Sequence, residues 1–403
     1  MAVLTSVAVS SVLANSVKSV MLRAREGKSL NVVFFGGSLT WGANASDPNV
    51  TSWRGLTMQE LRKRYPQASW QFKDSAIGGT GSMLAVFRME RDVFKYNPDL
   101  VILDFTLNDG LKGGSDGLHN VSNQSYEAII RECVRRNVAV LPVFTVSKAN
   151  VEELDINILK RRNEHIELFK RYNLEYADIL GLMHQAHREK QIDISKFWPI
   201  ELFDRVHPHD AGYAAYRDFF FREWERIEAA PEKKPVLTAD FISGKSFSNL
   251  LRVDLPQLEL PGWRVCYPCV VSDCYDWLAS RHLDKLVMRS NAEQTGATTW
   301  EFKGDKIEPF TFKVKAERVG AMIETLPESV PFSISVDGKE PVEIKVRQVL
   351  RSQLHFVNLA YGLTGDKWHT ITIIPENPAD NKPGVIRFGA ILLNGKEKVE
   401  FSL

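Results

Sequence analysis

The sequence predicts an α/β three-layer unit around a parallel sheet, followed by an all-β sandwich. Three observations carry that reading. From Asn31 to about Ala230, short runs rich in Val, Ile and Phe alternate with helical patterns, the mark of repeated strand-helix units. The segment Ala229–Pro235 (Ala-Ala-Pro-Glu-Lys-Lys-Pro) then ends the last helix with two prolines and charge. Beyond it the texture changes to alternating apolar and polar residues separated by turn signals. The two units are expected at residues 1–230 and 236–403, since a chain of 403 residues is long for one domain.

In chain order, an amphipathic helix over Ser16 to Leu30 leads into a strand at Asn31–Phe35. Further strands are expected at Trp70–Lys73, Leu100–Phe105 and Val138–Phe144, with a weaker one at Glu175–Ile179. Between them the apolar spacing predicts helices at Gly55–Tyr65, Met83–Tyr96, Ser125–Asn137 and Glu152–Tyr172, and a last one from Asp210, a candidate cap, to Ala229. In the second unit strands are expected at Thr311–Val314, Phe332–Val336, Val342–Val346, His369–Ile374 and Val385–Leu393, with turns at Asp337-Gly338 and Asn394-Gly395.

Composition excludes several classes. Lys and Arg total 51 against 50 Asp and Glu, so a formal charge of +1 creates no overall field toward nucleic acid or an anionic membrane. No stretch reaches the roughly 18 uninterrupted apolar residues of a membrane span. Met1 to Ala14 lacks a basic leading region and is interrupted by Thr5, Ser6, Ser10 and Ser11, a poor signal peptide. A soluble chain is expected, with any export leader absent or removed. Oligomeric state and compartment stay open.

Four segments bear chemistry. The first strand runs into Gly36-Gly37-Ser38-Leu39-Thr40, which places Ser38 at the carboxyl end of a strand, where open α/β sheets bind ligands. The second is followed by Ile77-Gly78-Gly79-Thr80, a glycine turn whose backbone N–H groups can face an anion. The third ends in Leu107-Asn108-Asp109, an amide at the same sheet edge. Near the end of the unit stands Asp204-Arg205-Val206-His207-Pro208, where one turn of chain can bring Asp204 to the His207 ring. No phosphate-cradling G-x-G-x-x-G follows the first strand, and no G-x-x-x-x-G-K-[ST] occurs.

Together these segments supply a nucleophile, a base with an orienting carboxylate and oxyanion donors. In this order they resemble the SGNH (GDSL-type) serine hydrolases, over about residues 28 to 230. The resemblance implies an SGNH, flavodoxin-like sheet with Ser38 as nucleophile, His207 as general base and Asp204 as its partner. It also implies an oxyanion hole of the Ser38 N–H, the Gly79 N–H and the Asn108 amide, with Gly78 as the competing register, and no metal or organic cofactor. Gly37 stands where the family often has Asp, and Thr106 where it often has Gly. The C-terminal stretches around Phe332–Gly338 and Leu359–Ile373 look like jelly-roll modules of microbial carbohydrate esterases.

The expected substrate is therefore an O-acetylated polysaccharide or oligosaccharide. A hydrolase of longer acyl esters and an inactive glycan-binding protein are the alternatives. Trp53 and Arg54 are offered as substrate contacts, and Trp41 and Trp198 lie near the same blocks. His209, Asp104 and Asp109 read as structural, and Asp210 as a helix cap. Cys266, Cys269, Cys274 and His282 are potential zinc ligands in a spacing that matches no common module, so free thiols or one disulfide are preferred. Asn44, Asn49, Asn120 and Asn123 begin glycosylation sequons, read as loop positions of significance only in a eukaryotic secretory pathway.

Overall fold

A computed structural model describes residues 15–110, 119–153, 156–198, 204–244, 247–258, 263–266, 299–302, 309–325, 329–344, 353–376 and 386–403. The N-terminal sheet has four parallel strands, β1 (Ser29–Gly36), β2 (Ser69–Asp74), β3 (Leu100–Asp104) and β4 (Ala139–Pro142), in the order β2-β1-β3-β4. The fifth expected strand shrinks to one parallel bridge, Val143 to Ala177, with the Phe144 N–H donating to the Ala177 carbonyl at 2.9 Å. β3 is buried along its whole length, as a strand covered on both faces must be.

Helices α1 (Val17–Arg25), α2 (Ser38–Trp41), α3 (Trp53–Arg64), α4 (Ser82–Ala85), α5 (Met89–Asp92), α6 (Thr106–Gly110), α7 (His119–Arg135), α8 (Lys148–Glu152), α9 (Ile156–Arg171), α10 (Ile179–Arg188) and α11 (Asp210–Ala229) complete this unit. Helices α1 and α3 both pack on α11, and α7 packs on α9. In α1 the buried residues Val17, Val20, Met21 and Ala24 form one stripe, and Ser16 caps it by accepting from the Ser19 N–H. The single helix expected at Met83–Tyr96 is broken into short pieces. Met83 to Met89 are all buried, because the segment lies between the sheet unit and the C-terminal strands, and one helix face cannot bury seven consecutive residues.

The C-terminal strands are β5 (Asn249–Asp254), β6 (Arg264–Cys266), β7 (Thr299–Phe302), β8 (Phe310–Lys315), β9 (Arg318–Thr325), β10 (Phe332–Val336), β11 (Val342–Ile344), β12 (Gln353–Tyr361), β13 (His369–Pro375), β14 (Ile386–Gly395) and β15 (Glu400–Ser402). They form two antiparallel sheets, β11-β10-β13-β8-β15 and β12-β9-β14-β7-β6, with β5 also paired to β14. The expected Asp337-Gly338 turn is present with both residues left-handed, at φ 54° and 71°. Asn394-Gly395 instead forms the last two residues of β14.

β9 and β14 are almost wholly buried, with apolar residues on both faces. Ala321, Ile323, Ile391 and Leu393 point into the sandwich, whereas Met322, Ala390 and Leu392 join the core of the α/β unit, as do Leu354 and Phe356 of β12. The second sheet thus packs on the first sheet with one face and on the α/β unit with the other. Residues 230–244 do not span an open gap. The Val236 N–H donates to the Tyr172 carbonyl at 3.0 Å, and Glu127 accepts from the N–H groups of Ile242 and Ser243, each at 2.7 Å.

Candidate active site

β1 lies between β2 and β3, so the chain leaves it toward one neighbour and returns past it to the other. Its carboxyl end is the switch point of the sheet, and Ser38 follows there as the first residue of α2. Gly36 is tightly enclosed by Thr40 and the Asp104 carbonyl, which leaves no room for a Cβ. At Gly37 a Cβ would stand 2.5 Å from Asn108 Oδ1 and 3.3 Å from Asn108 Nδ2. Glycine here therefore lets the Asn108 amide lie beside the serine turn. Gly79 has φ 71°, a left-handed conformation suited to glycine; Gly78 is not among the positive-φ residues.

His207 reaches Ser38 across 169 residues of sequence: its Nε2 lies 2.7 Å from Ser38 Oγ, and its Nδ1 2.7 Å from Asp204 Oδ2. The other Asp204 oxygen accepts the N–H groups of Val206 and His207, at 2.8 and 3.0 Å. Burial raises the Asp204 carboxyl, but hydrogen bonding and the charge of His207, with these backbone donors, outweigh it and bring the carboxyl down to about 2. Asp204 is thus ionised wherever imidazole titrates, and it favours the imidazolium that forms when His207 accepts a proton. Ser38 and His207 are 5% and 8% exposed, so their bond is shielded from water, whereas the Asp204 carboxylate is only partly buried.

Asn44 is a member of the site that sequence reasoning passed over, because it registered only as a sequon. Its Nδ2 donates to Asp204 Oδ2 at 3.0 Å and to the His207 carbonyl at 3.2 Å. It is buried and left-handed (φ 67°), a conformation Asn tolerates better than most residues. A glycan on this nitrogen is incompatible with both bonds. Tyr213 of α11 secures the adjacent backbone by donating to the Ala43 carbonyl at 2.6 Å. Asn120 and Asn123 fall within α7 and correct the loop expectation for those sequons, while Asn49 lies in the turn before α3.

Other expectations are corrected. Trp53 has no exposed surface: it packs on Phe34 and Phe220, and its Nε1 donates to the Leu39 carbonyl at 3.0 Å. Arg54 is 3% exposed, donates to the carbonyls of Thr40, Trp41 and Pro48 and pairs with Asp74. Both hold the loop that follows Ser38 from behind and present no face to substrate. Trp41 and Trp198 are likewise buried. Asp210 is the first residue of α11 and His209 the N-cap. The Asp210 carboxylate accepts from the Ser46 N–H at 2.8 Å and Thr51 Oγ1 at 2.8 Å, tying that loop to the helix.

Asp109 accepts from the Ser82 N–H at the start of α4. Asp104 accepts from Thr40 Oγ1 at 2.6 Å and Thr145 Oγ1 at 2.8 Å beneath the serine turn. Burial pushes its carboxyl up to about 6, against the lowering effect of these hydrogen bonds. A carboxyl whose folded value exceeds its unfolded one near 4 binds its proton more tightly when folded, so stability falls as pH rises from about 4 to about 6. Asp104→Asn is expected to remove that slope, worth about 3 kcal/mol between those limits, when denaturation of both proteins is followed against pH. Asp204, with the opposite shift, adds stability above its unfolded value and loses it as pH falls toward 2, outside this window.

Residues 34–215 match the model of the GDSL-like lipase/acylhydrolase family. Over these residues the chain is similar to the GDSL-like lipases and acylhydrolases. Among solved structures it is similar to a two-domain esterase (CEX) active on acetylated mannans, with 20% identity over 94% of this chain and 95% of that one and a TM-score of 0.72. The same esterase co-crystallised with mannopentaose gives 0.69, over 94% of each chain. The acetyl xylan esterase AlAXEase is 22% identical, over 49% of this chain and all of its own, with a TM-score of 0.41. No curated protein sequence matches.

Among the described residues there is no helix long and apolar enough to cross a membrane, and no cluster of three or more metal-ligating side chains. Cys269, Cys274 and His282 lie outside the described residues, as does the Cys266 side chain. Cys133 is a buried free thiol, its pKa raised by burial.

Proposed function

We propose that this GDSL-like hydrolase is a serine esterase that removes O-acetyl groups from carbohydrate, with Ser38, His207 and Asp204 as its triad. The observation that carries the reading is the unbroken chain Ser38 Oγ to His207 Nε2 and His207 Nδ1 to Asp204, each link 2.7 Å. His207 takes the Ser38 proton as Oγ attacks the ester carbonyl, and the oxyanion is met by the N–H groups of Ser38 and Gly79 and by the Asn108 amide. The sugar hydroxyl leaves with the proton held on His207. Water then gives a proton to the same nitrogen, attacks the acetyl-enzyme and releases acetate. Asn44 holds Asp204 and the His207 backbone in place through the cycle.

The carbohydrate part rests on the two-domain architecture shared along almost the whole chain with an esterase active on acetylated mannans. In this reading residues 1–230 form the catalytic domain and 236–403 an accessory domain. Acetate release from acetylated mannan, xylan, pectin and chitin oligosaccharides tests it, with acetyl and octanoyl nitrophenyl esters measured alongside. Release from at least one glycan and preference for the acetyl ester is the expected result. Preference for the octanoyl ester with no acetate released from any glycan would replace it with a long-chain acylhydrolase.

A further inference from the structure

A cavity of about 850 Å³ opens where the C-terminal strands meet the α/β unit. Its walls come from residues between Val86 and Arg91, from the C-terminal half of α7, from Leu237, Phe241 and Phe247, and from β5 with the turn after it. It shares no residue with the proposed triad or oxyanion hole. Phe87 and Phe247, with ring centroids 6.1 Å apart, and Leu250 supply apolar wall. Arg252 of β5 also lines it. That side chain is only 10% exposed; its Nε donates to Asp254 Oδ1 at 2.7 Å, but its Nη2 has no hydrogen-bond partner among the described residues.

We propose that this cavity binds an organic carboxylate, its charged end on Arg252 Nη2 and its less polar body against Phe87 and Phe247. A buried guanidinium N–H without an acceptor is costly, and an anion delivered by the cavity supplies one. The balance of wall charge sets the ligand's charge. Arg91, Arg131, Arg135 and Arg252 face Glu90, Glu132 and Asp254, a surplus of one positive charge that suits a monoanion better than a phosphate dianion. Burial and the nearby Arg91 both lower the Arg252 pKa, only partly opposed by Asp254 and Asp92, so a further negative charge is favourable there. The volume falls within the usual range for small-molecule sites, and junctions between domains are a common place for them. Because the ligand would touch both units, its binding would stabilise their association.

The test uses the full chain and does not depend on the esterase reading. The probes are 4-phenylbutyrate, for a free acid, and glucuronate, for the acidic unit of a glycan, with 4-phenylbutyramide as the uncharged control. Binding is followed by calorimetry and by thermal unfolding. Saturable binding of either carboxylate with a raised Tm, and none of the amide, is expected; the probe that binds tells the two sources apart. Arg252→Gln should weaken binding about ten- to hundredfold, the usual range for a lost charged hydrogen bond. Leu237→Trp, at a half-exposed wall position, should block the cavity with Arg252 intact, and it decides the matter if Arg252→Gln does not fold. Absence of binding by both probes, equal binding of the amide, or unchanged affinity in the folded variants would overturn the proposal.

Discussion

Ser38→Ala is expected to cut acetate release by at least about a thousandfold while leaving the fold intact, because Ser38 contributes only a small side chain at the head of α2. The loss follows from the geometry: without Oγ no atom is placed 2.7 Å from His207 Nε2 to become the acyl carrier. His207→Ala should cost a similar factor, and the double variant little more than either single one, since nucleophile and base act as one unit. Steady-state kinetics on an acetylated oligosaccharide and on nitrophenyl acetate, with circular dichroism of each variant, measure this. Activity within tenfold of the parent in a folded Ser38→Ala protein would move the nucleophile elsewhere.

Asn108→Ala is the second large effect, expected at about 100- to 1000-fold in kcat with KM little changed. An oxyanion donor acts on charge that exists only in the transition state, so its loss falls on kcat and not on substrate binding. The packing at Gly37 supplies a companion variant. A methyl group there would press on Asn108 Oδ1 from 2.5 Å and displace the amide, so Gly37→Ala should reproduce much of the loss. The two changes together should cost little more than Asn108→Ala alone. Fully additive losses, or a fall in kcat below tenfold for Asn108→Ala, would assign the third oxyanion donor to another group.

Much of the architecture is readable along the chain. The run Val32–Phe35 followed by two glycines and Ser38 marks a buried strand ending in a turn, and β1 ends where that pattern says it should. The pairing of Asp204 with His207 is also local, since three residues of chain bring the carboxylate to the ring. The split helix at Met83–Tyr96 was not readable: its apolar spacing suits a helix, and only its placement between two units demands burial on every side. Trp53 and Arg54 failed for a related reason. A tryptophan beside a catalytic block looks the same in sequence whether its ring faces a cleft or Phe34 and Phe220.

The sequence by itself determined the fold class and marked the residues proposed for acyl transfer, because strand and helix periodicity and the short motifs are properties of neighbours in the chain. Tertiary structure alone decided what depends on residues far apart in sequence. It brought His207 to Ser38, set the Asn108 amide against Gly37 and turned Asn44 from a sequon into a donor to Asp204. It also pressed the second sheet's outer face onto the α/β core, leaving Arg252 in the cavity between them. Contacts of that kind depend on how whole elements pack, and no window of sequence contains both partners.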